Sequence, residues 1–281
     1  MKNYPMIRAS WYAANILLAV SLALVVFSIG WEFSMRSYLK GFSDAIIPYS
    51  DTPEQKVAAI LTWMQHGPAR RATADPEALD ARNPEDTLNY HQLLEVCGTA
   101  TNAFVNLAQS SGLHARRLLL LGEDGRGKHV VVEVLLDNLW IVVDPAFHTI
   151  LRTPNGRFVT RTELLDPETF RAVTRRMPGY PSIYTYERTA HIRLSRIPFF
   201  GLHLRQVLTF LWPSWEESIN WTLLLERESF AVMTISILLF CFTLTVRLLL
   251  SWYCSRRLGI VRPRLRDQLV KVGDVLFSSS K

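Results

Sequence analysis

"HVVVEVLLDNLWIVVDPAF", residues 129–147, decides how this chain folds. Asp137-Asn138 interrupts two runs rich in β-branched and aromatic residues, the pattern of a tight turn joining antiparallel strands. With a two-residue loop, Val131 opposes Asp144 and His129 opposes Ala146; a four-residue loop keeps that register and a three-residue loop breaks it. One face of the pair then carries Val130, Val132, Val134 and Leu136 with Leu139, Ile141, Val143 and Pro145. That face is wholly apolar and must be core. The opposite face carries His129, Val131, Glu133 and Leu135 with Trp140, Val142, Asp144 and Ala146. His129 and Asp144 are therefore diagonal neighbours on one face, within side-chain reach of each other.

Working outward, "ARRLLLLG" (115–122) predicts a third strand and "EDGRGK" the loop that joins it to the hairpin. Before it, Ala100, Ala103, Phe104, Leu107 and Ala108 recur at helical spacing, with Gly112 as the stop. That helix opens at Cys97. A helix start favours an anion, so it lowers a thiol's pKa. A neighbouring His129 would lower it further, and Asp144 would hold the imidazole and its charge. Further upstream, "DTPEQKVAAILTWMQHG" predicts a capped helix from Pro53 with Val57, Ile60, Leu61 and Met64 on one face. The stretch 69–87 reads as loop, residues 32–50 as a connector, and "DPETFRAVTRRM" as a short helix.

The ends of the 281-residue chain have a different character. Residues 12–30, "YAANILLAVSLALVVFSIG", carry no charge and match the thickness of a bilayer core. Residues 229–246 do the same if Arg247 snorkels toward the headgroups. Basic residues crowd the outer flanks: Lys2 and Arg8 before the first stretch, and seven more after Arg247, while the middle is near neutral. The positive-inside rule then puts both termini in the cytoplasm and the middle outside. It also removes the net charge of +6 as a nucleic-acid signal. Trp212, Trp215 and Trp221 stand where an interfacial belt would, and 197–212 could lie along a membrane surface. The expected organisation is a cytoplasmic 1–11, a span at 12–31, an exported domain at 32–228 with its core at about 50–150, a span at 229–250 and a basic tail at 251–281. A cleaved signal peptide is the alternative for the first span, since Ser28-Ile29-Gly30 is small-x-small.

Of three cysteines, Cys97 alone falls in the exported middle, where it has no disulfide partner. A thiol there is a liability unless it is used. A redox or metal-binding module is disfavoured by the absence of a partner cysteine in that middle, and a metal site also because no second Cys or His stands at zinc-like spacing.

Taken together, "VCGTATNAFVNLAQSSGLHARRLLL" and "HVVVEVLLDNLWIVVDPAF" resemble the core of the transglutaminase-like superfamily, of papain-like fold, in a membrane-anchored bacterial member. The resemblance implies an α+β domain in which a Cys-bearing helix packs on an antiparallel sheet, here between two transmembrane helices. Residue by residue it puts Cys97 on the nucleophile, His129 on the general base and Asp144 on the orienting carboxylate. No cofactor and no metal is expected. Tyr90, His91 and Gln92 all remain candidates for an oxyanion donor, with Gln92 preferred for its amide. Gly98 departs from the acidic or aromatic residue frequent after the cysteine, and Val130-Val131 from the Ala-Trp frequent after the histidine. Both departures sit by the cleft, so the resemblance does not carry a substrate class.

The expected function is a thiol enzyme acting on amide bonds as peptidase, amidase or acyl-transfer catalyst. Its substrate would be a polypeptide or peptidoglycan-type peptide near the plasma (inner) membrane. The alternative is a catalytically silent scaffold for cell-envelope or polysaccharide-assembly proteins. Glu133, on the same face as His129, is expected to meet solvent or a basic partner, and His91, His114 and His148 to be surface or loop residues.

Overall fold

The computed structural model describes residues 5–48, 52–67, 79–175, 177, 179–192, 207, 209–213, 215 and 221–258. The chain forms two compact units, one from 1–29 with 233–281 and one from 30–232.

In the first unit lie most of two long apolar helices, α1 (Pro5–Ile46) and the last helix, Glu228–Leu258. Each is long and apolar enough to cross a membrane. Their outward residues are large and apolar, among them Leu17, Val20, Phe27, Leu238 and Phe242, as lipid-facing positions are. Polar side chains meet instead between the helices. Ser21 Oγ and Thr243 Oγ1 are 3.0 Å apart. Arg247 Nε donates to Asn15 Oδ1 at 2.7 Å and its guanidinium lies over the Trp11 ring. Such bonds are the usual contacts between helices in an apolar medium.

The second unit begins within α1. Residues 32–46 are not a connector; they continue α1 as a stem. Glu32 receives Arg36 Nε at 2.7 Å and Lys40 pairs with Asp44, both one turn apart, while Met35 and Leu39 are buried. Those pairs and that apolar stripe sustain a helix past the end of the apolar run. Next comes α2 (Pro53–His66), capped as anticipated, here by a Thr52–Gln55 capping box, and with Val57, Ile60, Leu61 and Met64 buried. Part of the supposed loop at 69–87 is helical: α3 (Pro84–Asn89) is capped by Asn83 and followed by the single turn α4 (His91–Leu94). Residues 68–78 lie outside those described.

The helix α5 (Cys97–Ser110) is buried from Thr99 to Ala108 and ends before Gly112, which takes the left-handed φ of 86°. The sheet that receives it has strand order β4-β3-β2-β1-β5, antiparallel throughout. Its strands are β1 (Ala115–Leu121), β2 (Gly127–Leu136), β3 (Leu139–Asp144), β4 (Thr149–Ile150) and β5 (Thr189–Ala190). The β2–β3 register is the one the two-residue loop demands: Val132 opposes Val143 and Leu136 opposes Leu139. Asp137 and Asn138 both have positive φ, 48° and 65°, the type I′ geometry that follows strand twist.

Both faces of the sheet are covered. Val132, Val134, Leu136, Ile141 and Val143 pack with α2, α5 and the stem of α1. Leu139, assigned to that face, is 41% exposed because it sits at the turn. The other face, with Leu118, Leu120, Val131 and Val142, packs under Leu151, Val159, Leu164 and Tyr186. Within that second layer are a 3₁₀ turn at Glu163–Leu165 and α6 (Pro167–Thr174), capped by Asp166. Trp215 is 1% exposed and packs with Ile192 and Trp221, so it serves as a core anchor instead of an interfacial residue. The segment 197–212 falls largely outside the described residues.

A short α7 (Trp221–Glu226) precedes the last helix, α8 (Glu228–Leu258). Between them Arg227, 4% exposed, donates to Asn106 Oδ1 of α5 at 2.8 and 3.0 Å and to Glu32 Oε1 at 3.1 Å. Ser229 donates to the other Glu32 oxygen at 2.7 Å. One buried carboxylate therefore fastens the α1 stem, the start of α8 and, through Arg227, the middle of α5. Removing it leaves a buried cation without its counter-charge. Glu32→Ala is expected to destabilise the protein by about 3–5 kcal/mol, read as a lowered chemical-denaturation midpoint of the full chain in detergent. An unchanged midpoint would show that the network contributes nothing net.

Candidate active site

Cys97, His129 and Asp144 converge from three elements. Asp144, at the end of β3, is wholly buried. Its Oδ1 accepts the backbone N–H groups of Ala146 and Phe147 at 3.1 and 3.3 Å, and its Oδ2 lies 2.7 Å from His129 Nε2. The chain turns directly after Asp144, so the carboxylate is gripped by its own following backbone. A carboxylate so placed can only accept, which assigns the proton on His129 to Nε2 and leaves Nδ1 as the basic nitrogen.

His129, 2% exposed, sits near the start of β2 opposite Leu120. The β1–β2 register slips between Leu120 and Leu121, an irregularity of the kind that re-aims side chains beside functional sites. One turn into α5, Thr101 Oγ1 donates to the carbonyl of Val130 at 3.2 Å, tying the helix to the strand residue next to His129.

The half-buried Cys97 is the first residue of α5. Its N-cap is Val96, which has no side-chain oxygen to offer, so the first N–H groups of the helix keep their donor capacity. The turn before it is held by Thr99, whose hydroxyl donates to the carbonyls of Val96, at 3.1 Å, and of Leu93. Hydrogen bonding with His129 is the main reason the Cys97 thiol is more acidic than usual; burial opposes it, and the charge of His129 and the backbones of Val130 and Gly98 assist. The contact is loose at rest, since buried Nδ1 has no partner of full hydrogen-bond geometry. Resting nucleophile–base pairs are commonly long and tighten when substrate binds. For His129 the largest influence is burial, which disfavours its charge. Bonds to Asp144 and Cys97 and the attraction of both outweigh it and raise the pKa to about 9. Both shifts run in the direction that favours a thiolate beside an imidazolium.

Three aromatic rings that the sequence reading did not assign to the site surround the imidazole. Tyr184 stacks on it with centroids 4.2 Å apart and planes 1° from parallel. Phe147 and Tyr180 meet it edge-on at 5.9 and 6.3 Å. Burial, and Asp144 among the neighbouring groups, push the Tyr180 and Tyr186 hydroxyls up and keep them neutral. The signal was the tyrosine density of "YPSIYTYE", which has neither helical nor strand period.

Gln92 lies half-buried in α4, one turn before Cys97, and its amide has no hydrogen-bond partner among the described residues. His91 instead pairs with Glu95 at 3.3 Å on the surface. Glu133 found basic partners but not solvent. It is 2% exposed and binds Arg116 at 2.8 Å and His191 at 2.9 Å, with Arg161 at 4.0 Å. This cluster braces the second face of the sheet, and Arg116 also covers Trp140. No group of three or more potential metal ligands occurs among the described residues. Two surface cavities beside Leu121, Glu187 and Arg188 include none of Cys97, His129 and Asp144.

Residues 40–145 match the family model of the transglutaminase-like superfamily, a span that contains all three converging residues. The chain carries a transglutaminase-like domain. No curated protein and no solved structure matches the chain. The transglutaminase-like match stops one residue past Asp144, so Phe147 and the tyrosines at 180, 184 and 186 are additions from beyond it.

Iodoacetamide should alkylate Cys97 with a thiolate midpoint below the ordinary thiol range, measured on the full-length Cys241→Ser/Cys254→Ser protein. His129→Ala is expected to return the midpoint upward, each unit lowering the rate at pH 7 about tenfold. Identical profiles would mean that His129 does not act on the thiol.

Proposed function

We propose that this protein is a membrane-anchored thiol enzyme that cleaves or transfers amide bonds on the outer side of the plasma membrane. The observation that carries the reading is the Asp144-bound imidazole whose remaining nitrogen is left for a helix-initial thiol. His129 Nδ1 takes the Cys97 proton, and the thiolate sulfur bonds to the carbonyl carbon of the amide. The carbonyl electron pair moves onto oxygen, where N–H groups at the start of α5 and the Gln92 amide can donate to it. As that pair returns, the carbon–nitrogen bond breaks and the His129 proton goes to the leaving amine, leaving a thioester on Cys97. Water or a second amine then attacks the thioester, His129 accepts the attacker's proton, and the thiol is restored. Asp144 keeps Nε2 protonated throughout and stabilises the imidazolium.

The two apolar helices and the basic ends support a two-pass arrangement with cytoplasmic termini, in which 12–31 and 229–250 span and 32–228 faces outward. Anchoring on both sides restricts the domain to substrates near the membrane, for which a polypeptide or peptidoglycan-type peptide fits the chemistry. Under this reading Cys97 is the only thiol outside, so a disulfide cannot silence it within the chain.

The test is release or exchange of amine from peptide amides and peptidoglycan peptides by the purified full-length protein. Cys97→Ala should reduce the rate to background, and Asp144→Ala should lower it by about 10²–10⁴-fold. The rate should rise as Cys97 ionises, below the usual thiol range, and fall again near pH 9. The sign follows from the raised pKa: below about 9 His129 holds the proton the leaving amine needs, and above it that proton is gone. Activity that survives Cys97→Ala would overturn the assignment.

A further inference from the structure

Tyr184 belongs to the 179–192 stretch, beyond the transglutaminase-like match, yet it makes the closest ring contact His129 has. Face-to-face stacking at 4.2 Å puts the electron-rich face of the phenol against the imidazole, the arrangement that stabilises a cation. Tyr180 meets the Tyr184 ring edge-on at 5.6 Å and the Phe147 ring at 4.7 Å, so the stack is itself held in place. The Tyr184 backbone is fixed as well, its N–H donating to the Pro181 carbonyl at 3.1 Å. The ring remains partly exposed, and the charges of Cys97 and Asp144 both act on its hydroxyl. It therefore forms the solvent side of the imidazole's enclosure. The charged groups acting on His129 are Asp144 from β3 and Cys97 from α5; the other groups around it are the neutral rings of Phe147, Tyr180 and Tyr184.

We propose that Tyr184 is a positioning residue for the thiolate–imidazolium pair, holding His129 in plane with Asp144 and favouring its charged form through the π face of the ring. This rests on the proposed roles of Cys97 and His129. The phenol hydroxyl is not what matters; the aromatic face is. Because the Cys97 thiolate is sustained by a charged His129, loss of the face raises the pH at which the thiolate appears.

The experiment is the pH profile of iodoacetamide alkylation of Cys97 in the full-length, detergent-solubilised Cys241→Ser/Cys254→Ser background. Tyr184→Leu, which keeps an apolar cover but removes the π face, should move the thiolate midpoint upward and slow alkylation at pH 7 about fivefold. Tyr184→Phe should recover most of that loss. Tyr184→Trp, with the stronger π face, should place the midpoint no higher than Tyr184→Phe does. A Tyr184→Leu profile that overlays the parent overturns the proposal, as does a Tyr184→Phe profile displaced as far as that of Tyr184→Leu. Should Tyr184→Leu lose its near-ultraviolet circular dichroism, the Phe and Trp variants decide: a Trp midpoint above the Phe midpoint overturns it. His129→Ala separates the two levels of inference. If the parent profile is already that of an ordinary thiol and His129→Ala leaves it unchanged, the reading of Cys97 and His129 fails, and the role of Tyr184 fails with it. If the parent shows the lowered midpoint and Tyr184→Leu does not move it, only the role of Tyr184 fails.

Discussion

Asp144 has no exposure to water, and a buried carboxylate must find all of its hydrogen bonds inside the protein. Two come from the backbone that turns away after it and the third from His129. That single requirement sets the rest of the site in order. With Nε2 committed to Asp144, the imidazole has one nitrogen left, and the fold brings the start of α5 to it. The Thr101–Val130 bond acts at the same place from the other direction, anchoring the first turn of α5 to the strand that carries His129. Charge and position are thereby coupled. The carboxylate that orients the ring also supplies much of the attraction that overcomes burial and keeps the ring protonated.

The sheet is buried on both faces, which limits where chemistry can happen. Its middle is occupied by packed valines and leucines, so reactive groups are confined to the strand ends and the loops that follow them. His129 near the start of β2 and Asp144 at the end of β3 satisfy that limit, and antiparallel pairing makes those two ends neighbours. Glu133 lies four residues along β2 from His129, further into the sheet, and has a different fate. There a carboxylate survives only beside counter-charges and donors: Arg116 and Arg161 supply the positive charge, and His191, kept neutral by burial and by those two arginines, supplies a hydrogen bond. The same residue type thus pairs with arginines or with His129 according to its distance from the strand end.

Much of this was legible because two periodicities agree. The strand alternation across Asp137-Asn138 dictates the register, and the register puts His129 and Asp144 on one face. The helical spacing from Ala100 to Ala108 identifies α5 and therefore Cys97 as its start. What escaped reading depends on contacts between residues far apart in sequence. The α1 stem looks like a connector, because its charges hide a helix supported by i,i+4 pairs and by burial of Met35 and Leu39. Trp215 looks interfacial by position, yet packing against Ile192 and Trp221 buries it. The rings over His129 come from a segment of turns, where neither period operates and only tertiary structure determines which side chains meet.

The buried ion pair at Glu32 and Arg227 bears on how the domain is built. An isolated surface pair contributes little, whereas this one is enclosed and shares its oxygens and nitrogens with Ser229 and Asn106. Asn106 stands on α5, the helix that begins at Cys97, and its amide also donates to Asn102 one turn closer to that cysteine. Cutting the chain at residue 228 would spare Glu32 and Arg227 but remove Ser229, leaving one oxygen of a buried carboxylate without its donor. The stem of α1 and the first turn of α8 are accordingly parts of the domain's own core. The Cys97 end of α5 is held by the sheet and its middle by these stems, so the position of the thiol depends on both attachments.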